Sequence, residues 1–273
     1  MTYVALITGA SSGIGEATAR RLAQEPDVQL ILVARREDQL ARVSDSIGRS
    51  GTTLYATDLT DPEAAERIAD LIERQHGALH LLVNNAGARW SVDFADGGWA
   101  NVEQHIRVNF EAPVRLIEAL LPLLRRTAAA AGVVAGRAGS REFSGDVFAG
   151  RPLKAPVSIV NVTSTAARIA RRGTGGYNAA KFAFSGWSDS LYLEEHRHGI
   201  HVGNVLPGFI STEGFPQAEL VASWRTRWGA SASVRSSAIT VAPPSSAASR
   251  SSRSRRRATR TSRVSRSRRR VAL

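Results

Sequence analysis

Three residues in the second half of the chain are spaced so that they could carry out proton transfer. Ser164 precedes Tyr177 by thirteen residues, and Lys181 follows Tyr177 by four. A lysine four positions along a helix lies on the same face as the tyrosine, and its cation favours the tyrosinate and lowers the tyrosine pKa. A serine hydroxyl from a neighbouring strand could hold a carbonyl beside the phenol. The spacing predicts acid–base chemistry, although a Tyr-x-x-x-Lys pair alone is more typical of an exposed helix face.

A glycine-rich segment near the N-terminus predicts a phosphate-binding turn. The apolar run Val4–Ile7 leads directly into Thr8–Gly15, and a helical pattern follows. Glycines allow the backbone to approach a pyrophosphate, and a helix N-terminus offers unpaired N–H groups and the positive end of its dipole. The spacing is G-x-x-x-G-x-G and not the G-x-G-x-x-G of the standard dinucleotide motif. Ordinary turn chemistry is the alternative interpretation.

The elements that must position these residues alternate between apolar strands and helical patterns, which favours an α/β fold with a doubly wound parallel sheet. Ligands bind such sheets at the carboxyl ends of the strands. The predicted strands are Val4–Thr8, Val28–Ala34, Thr53–Ala56, Leu79–Asn84, Ser158–Thr163 and His201–Leu206. The predicted helices are Gly15–Ala23, Arg36–Gly48, Pro62–His76, Val102–Leu124 and Tyr177–His196.

Further motifs occur in the same order and register: Asn84-Asn85-Ala86-Gly87, Asn109 and Pro207-Gly208. With the glycine turn and the Ser-Tyr-Lys set, the chain resembles the classical short-chain dehydrogenase/reductases (SDRs) from about residue 1 to about residue 215. The resemblance implies a Rossmann-like, single NAD(P)-binding domain, which we expect to occupy residues 1–228.

The resemblance implies four catalytic residues. Tyr177 would be the general acid that protonates a carbonyl oxygen, and Lys181 would lower its pKa and bind the nicotinamide ribose. Ser164 would orient and polarise the carbonyl. Asn109 would hold a helix kink and a water that continues the proton relay.

The resemblance also implies the coenzyme. Ala34 stands where NAD-dependent members carry an acid, and Arg35 follows it, so NADP(H) is favoured over NAD(H). A solvated Arg-Arg pair is the alternative. Asp58 would hold the adenine amino group. The implied coenzyme-binding residues are Gly9, Ser11, Ser12, Gly13, Ile14, Gly15, Arg35, Asp58, Leu59, Asn85, Ala86, Gly87, Tyr177, Lys181, Pro207, Gly208, Ile210 and Thr212.

Composition excludes several classes of protein. The chain has no cysteine, which rules out disulfides and thiol chemistry. No charged and apolar leader and no bilayer-length apolar run is visible, so we expect a cytoplasmic protein without membrane association. His196, His198 and His201 cluster without an acid or cysteine to complete a site, so no metal is expected.

The net charge of +12 belongs entirely to residues 229–273, which hold twelve Arg, thirteen Ser and no acidic residue. We expect this tail to be disordered. A shifted reading frame in a GC-rich gene and a genuine basic arm that binds nucleic acid both remain open. Residues 127–156 are predicted to be a loop insertion, either a lid or an unstructured excursion.

The favoured function is NADPH-dependent interconversion of a small-molecule carbonyl and an alcohol. The alternatives are a nucleic-acid-binding protein that acts through the tail and a catalytically impaired SDR scaffold. Trp90, Phe209 and Phe215 follow loops that line substrate pockets in the family. The alternative is that these side chains serve only in packing. The resemblance implies a homodimer through Val102–Leu124 and Tyr177–His196; a tetramer, which needs a C-terminal strand, is not expected.

Overall fold

A computed structural model describes residues 2–132, 157–208 and 210 of the chain. The strands are β1 (Tyr3–Thr8), β2 (Val28–Ala34), β3 (Thr53–Ala56), β4 (Leu81–Asn84), β5 (Ser158–Val162) and β6 (His201–Val205). The helices are α1 (Gly13–Leu22), α2 (Glu37–Ile47), α3 (Ala64–Gln75), α4 (Phe94–Ile106), α5 (Ala112–Ala130) and α6 (Gly175–Glu195).

The six strands form one parallel sheet in the order β3-β2-β1-β4-β5-β6. This is the doubly wound order, in which crossover helices cover both faces of the sheet. Strand β1 is buried along its whole length, as a central parallel strand should be. Separate apolar clusters pack on the two faces, one around Leu6 and Leu116 and the other around Ile7 and Leu32. The predicted fold class is confirmed.

The bounds of β2 and β3 agree with the prediction, but the start of α4 was predicted wrongly at Val102. The helix begins at Phe94, after Asp93. Two glycines inside its first turns obscure the apolar period, and Gly98 has a φ of +52° that breaks the regular helix. Phe94 is also 73% exposed, so the helix start carries no buried apolar residue to mark it.

The end of the long helix also differs from the prediction, because α5 extends through Ala130. Thr127 is buried, its hydroxyl donates to the Leu123 carbonyl at 2.9 Å, and it accepts from the Leu79 amide at 3.1 Å. Residues 127–130 therefore belong to the helix and not to the predicted 127–156 insertion. The helix continues because Thr127 and Ala128 still face the core.

Several predictions concern residues outside the described ranges: the remainder of the insertion from 133 to 156, Phe209, Thr212, Phe215 and the 229–273 tail. Within the described part of the chain, no helix is both long enough and apolar enough to cross a bilayer.

Candidate active site

A cleft of about 580 Å³ lies at the carboxyl ends of the strands, where the sequence predicted a ligand site. It draws residues from the segments that follow all six strands. The predicted site residues that line it are Gly9, Ser11, Ser12, Gly13, Ile14, Arg35, Asp58, Leu59, Asn85, Ala86, Gly87, Asn109, Ser164, Tyr177, Lys181, Pro207, Gly208 and Ile210.

The glycine turn packs so closely that side chains would not fit. Gly9 has a φ of +64°, and a Cβ there would lie 2.9 Å from the Ala86 Cα. A Cβ on Gly15 would lie 2.3 Å from the Gly9 carbonyl oxygen. Gly15 is buried beneath the turn and supports it from within α1. The turn brings the N-terminus of α1 to the cleft, where N–H groups and the dipole favour a phosphate.

Thr8, at the end of β1, fixes the neighbouring Asn85–Gly87 loop. Its hydroxyl accepts the backbone N–H groups of Asn85 and Ala86, each at 3.0 Å. The Asn85 amide nitrogen in turn donates to the carbonyls of Thr8 and Gly9, at 3.0 and 3.2 Å. The two loops thus form one hydrogen-bonded unit, which gives the cleft a rigid wall on the β1–β4 side.

Ser164 and Tyr177 come together at the other end of the cleft. Ser164 follows β5, and its Oγ accepts the Ala166 N–H at 3.1 Å. The Ser164 side chain also hydrogen-bonds the Tyr177 hydroxyl. Tyr177 sits in the first turn of α6 and is only 8% exposed. Two hydroxyls thirteen residues apart in sequence therefore meet at one point in the cleft.

Lys181 lies one turn further along α6 and is 4% exposed. Its Nζ donates to the Val162 carbonyl at 3.0 Å and lies 5.9 Å from the centre of the Tyr177 ring. A Cβ added to Gly87 would lie 3.5 Å from this Nζ, so the ammonium reaches the Asn85–Gly87 loop. Burial lowers the pKa of Lys181 to about 8.

The pKa of Tyr177 moves in the direction opposite to the one the sequence predicted. Burial raises it, while the Ser164 hydrogen bond and the charge of Arg89 lower it by smaller amounts. Desolvation dominates because a buried phenolate loses its hydration. The prediction that Lys181 lowers the Tyr177 pKa is not met here, because burial outweighs the lowering effects and Lys181 directs its hydrogen bond to the Val162 carbonyl.

Asn109 is fully buried within a π-helical turn, Arg107–Glu111, that joins α4 to α5. Such turns recur at functional sites. The Asn109 side chain accepts the Ala88 N–H at 3.2 Å and donates to the Ala88 carbonyl at 2.9 Å and to the His105 carbonyl at 3.2 Å. It ties the irregular turn to the loop that follows Gly87.

At the end of the cleft near β2, two arginines follow the strand. The Arg35 guanidinium lies 4.0 Å from the Asp58 carboxylate. The Arg36 guanidinium lies 3.5 Å from the Ser11 hydroxyl and 3.3 Å from the Ser12 hydroxyl, beside the glycine turn. Sequence reasoning selected Arg35 alone; the contacts of Arg36 depend on how the turn folds back towards α2.

Sequence reasoning also missed three residues that line the cleft or pack against Tyr177. Arg89 and Arg171 line the cleft, and Arg89 is close enough to act on the Tyr177 pKa. His105 packs edge-on to the Tyr177 ring, with centroids 6.0 Å apart. Arg89 follows the Asn-Ala-Gly motif directly, which was an available signal. No pattern in the chain marks Arg171 or His105.

The family comparison agrees with this geometry. A family model described as short chain dehydrogenase matches residues 3–142 and 154–220. The chain belongs to the short-chain dehydrogenase family. Residues 143–153 separate the two matched parts, within the stretch predicted to be an insertion.

Relatives cover most of the chain. The 3-oxoacyl-[acyl-carrier-protein] reductase FabG of Escherichia coli K12 is 30% identical over 213 residues, which are 77% of this chain and 74% of that protein. A short chain dehydrogenase/reductase from Burkholderia phymatum, solved with NAD, is 25% identical with a TM-score of 0.64 over 81% of this chain and 70% of its own. An alcohol dehydrogenase from Thermococcus sibiricus, solved with 5-hydroxy-NADP, is 23% identical with a TM-score of 0.62 over 77% of each chain and shares the fold.

The chain is thus an oxidoreductase of the short-chain dehydrogenase family with a Rossmann-like fold. Short-chain dehydrogenases interconvert carbonyl and alcohol groups with a nicotinamide coenzyme. The Burkholderia protein was solved with NAD, and the Thermococcus protein, which shares the fold, was solved with an NADP derivative.

Proposed function

We propose that the protein reduces a ketone or aldehyde to an alcohol with NADPH, and uses Tyr177 as the general acid. One observation carries this proposal. The hydrogen-bonded Ser164 and Tyr177 hydroxyls and the buried Lys181 ammonium line the same cleft as the glycine turn. A carbonyl held there would be close to a proton donor, an orienting hydroxyl and a cation.

The cleft fits a nicotinamide dinucleotide. Gly9 and Gly15 let the turn pack tightly against Ala86 and against itself, which holds the start of α1 at the cleft, where its backbone N–H groups can meet a pyrophosphate. We propose that the glycine turn and the start of α1 bind the phosphates and that Asn85–Gly87 lies along the adenine ribose. When bound, the coenzyme supplies the hydride, so the protein has only to position the substrate and provide the proton.

Each catalytic side chain would have one task. Ser164 would hold the carbonyl oxygen by a hydrogen bond, and Tyr177 would donate its proton to that oxygen as negative charge develops. Burial raises the pKa of Tyr177, so the phenol is protonated at neutral pH and is available as an acid. Lys181 would stabilise the resulting phenolate by its charge. Asn109 would keep the π-helical turn and the Ala88 loop in place around them.

The preference for NADPH is proposed from the arginines after β2. A 2′-phosphate beside this strand end would find the Arg35 guanidinium and also Arg36, which already contacts Ser11 and Ser12. A hydrogen bond to a charged group contributes about 1.5–3 kcal/mol. NADH would lack this interaction. Ala34 supplies no carboxylate to hold its ribose hydroxyl.

We expect Arg35→Ala to raise the KM for NADPH by roughly 10- to 100-fold, the equivalent of one charged hydrogen bond, with little change in the KM for NADH. Arg36→Ala should act in the same direction. Initial rates with both coenzymes measure the effect. Arg42→Ala is the matched control, because Arg42 on α2 forms an exposed ion pair with Asp38. Equal use of both coenzymes by the unmodified protein would refute the preference.

The reaction itself is tested by following NADPH absorbance with a panel of ketones, aldehydes and 3-oxoacyl thioesters. Consumption of NADPH with formation of the alcohol supports the proposal. If the protein binds NADPH yet reduces no member of a chemically broad panel, a catalytically impaired scaffold becomes the better description.

We also propose a homodimer through α5 and α6. Phe182 and Leu193 on α6 are 44% and 75% exposed. A face with such residues is a reasonable subunit contact. Light scattering should give twice the monomer mass, and Leu193→Glu should shift it towards the monomer.

A further inference from the structure

A stripe of three polar side chains on α4 and the π-helical turn holds the loop that follows Gly87. Asn101, His105 and Asn109 are four residues apart, so they share one helix face. Asn109 binds both the N–H and the carbonyl of Ala88. Two residues further along the loop, the Trp90 N–H donates to His105 Nε2 at 3.0 Å, and the Trp90 carbonyl accepts from Asn101 Nδ2 at 3.2 Å. Side chains of a helix thus pair with alternate residues of the loop.

The contacts of His105 fix its tautomer. A backbone N–H can only donate, so Nε2 must accept from Trp90; a carbonyl can only accept, so Nδ1 must carry the proton that bonds the Asn101 carbonyl at 2.7 Å. The side chain is fully buried. Burial also lowers the pKa of His105, and the bond to Asn101 opposes this only in part, so the ring is neutral at pH 7.

The same ring separates the loop from the proton donor. It packs edge-on to Trp90, with centroids 5.2 Å apart, and edge-on to Tyr177 at 6.0 Å. A Cβ on Gly176 would lie 2.9 Å from His105 Nδ1, so the first turn of α6 rests directly on the imidazole. Trp90 and Tyr177 both line the cleft. The buried His105 ring therefore sets the distance between two parts of the cleft wall.

We propose that His105 is a positioning residue for carbonyl binding, which acts by accepting the Trp90 N–H and thereby holding the Ala88–Val92 loop at its distance from Tyr177. The kinetic part rests on the proposed function; the holding of the loop does not. Loss of this acceptor leaves a backbone donor without its partner, and the loop is then expected to move towards water. The carbonyl site would lose its shape, whereas the glycine turn and Arg35 would be unaffected.

Two substitutions separate the acceptor from the ring. His105→Gln places an amide oxygen near the position of Nε2 and so keeps an acceptor for Trp90 while it loses the ring. His105→Phe keeps a ring between Trp90 and Tyr177 but has no acceptor. Hydrogen–deuterium exchange of the peptide containing Trp90 should be about five- to tenfold faster in His105→Phe than in the unmodified protein, and close to normal in His105→Gln. This measurement needs no substrate.

Kinetics provide the second readout. The KM for the best carbonyl should rise about tenfold in His105→Phe, with the KM for NADPH unchanged, and His105→Gln should restore most of it. His80→Phe is the matched control, because His80 Nδ1 also accepts a backbone N–H, from Val4 at 3.1 Å, outside the cleft lining. It should change neither readout.

The inference would be overturned if the Trp90 amide exchanged freely in the unmodified protein, or if His105→Phe exchanged at the same rate as the unmodified protein. Equal effects of His105→Gln and His105→Phe would also overturn it, because they would indicate packing of the ring alone. If His105→Phe does not fold, His105→Asn replaces it, since the shorter amide can reach Asn101 but not Trp90. If the protein reduces no carbonyl, the proposed function is refuted. The hydrogen–deuterium exchange of the Trp90 peptide then still tests the role of His105 in holding the loop.

Discussion

Replacing Tyr177 with phenylalanine is expected to lower kcat for carbonyl reduction by roughly 10² to 10⁴, the usual contribution of a positioned general acid. The ring would still pack against His105, and Lys181 would keep its hydrogen bond to Val162, because neither contact uses the phenol oxygen. Only the proton and the partner of Ser164 would be lost. Steady-state rates measure the loss in kcat, and titration with NADPH, followed by fluorescence, measures whether coenzyme binding is kept.

The control for Tyr177→Phe is Tyr192→Phe on the same helix. Tyr192 packs against His196 and His201 and is not part of the cleft lining. The activity of Tyr192→Phe should match that of the unmodified protein. If Tyr177→Phe kept more than a tenth of the original kcat, Tyr177 could not be the proton donor.

Lys181→Met should lose most of its activity and at the same time gain stability. The ammonium is buried with one hydrogen bond, and burial lowers its pKa from 10.5 to about 8. At pH 7 both folded and unfolded chains are protonated here, so the folded chain carries a cost on the order of 3 kcal/mol. Methionine removes this cost and the bond to Val162. We expect the free energy of unfolding to rise by about 1–3 kcal/mol.

The pH dependence of the stability tests whether the buried Lys181 ammonium is the source of this gain. Between pH 8 and pH 10.5 the unfolded chain binds more protons at Lys181 than the folded chain, so the contribution of Lys181 to stability rises with pH across that window. Lys181→Met should lack this rise. Above about pH 10, Tyr177 and Tyr3 act in the opposite direction, because burial raises their pKa values, that of Tyr3 to about 12. The cleanest comparison is therefore from pH 8 to pH 10.

Denaturant titrations at several pH values would measure this difference. Lys181→Arg is the informative companion, because a guanidinium stays charged throughout the range and should be less stable than the lysine at every pH. Identical slopes for the unmodified protein and Lys181→Met would show that the buried ammonium is not the source.

Local pattern was enough to predict most of the elements. Val28–Ala34 reads as a buried parallel strand because nearly all its residues are apolar, and the structure gives it those bounds. The glycines that follow β1 predicted a turn from local sequence as well, and Gly9 takes a φ of +64°, which favours glycine. The start of α4 was missed because its first turns hold two glycines and the exposed Phe94, which leave no apolar period to read.

What the sequence alone determined about this protein is the α/β fold class, the glycine turn and the helical spacing of Tyr177 and Lys181. Each depends on neighbours within a few residues along the chain. Only the tertiary structure decided that burial raises the Tyr177 pKa, that Arg36 reaches Ser11 and Ser12, and that His105 joins Trp90 to Tyr177. Desolvation and long-range hydrogen bonds depend on which strands and helices the crossovers bring together, and no local period records that.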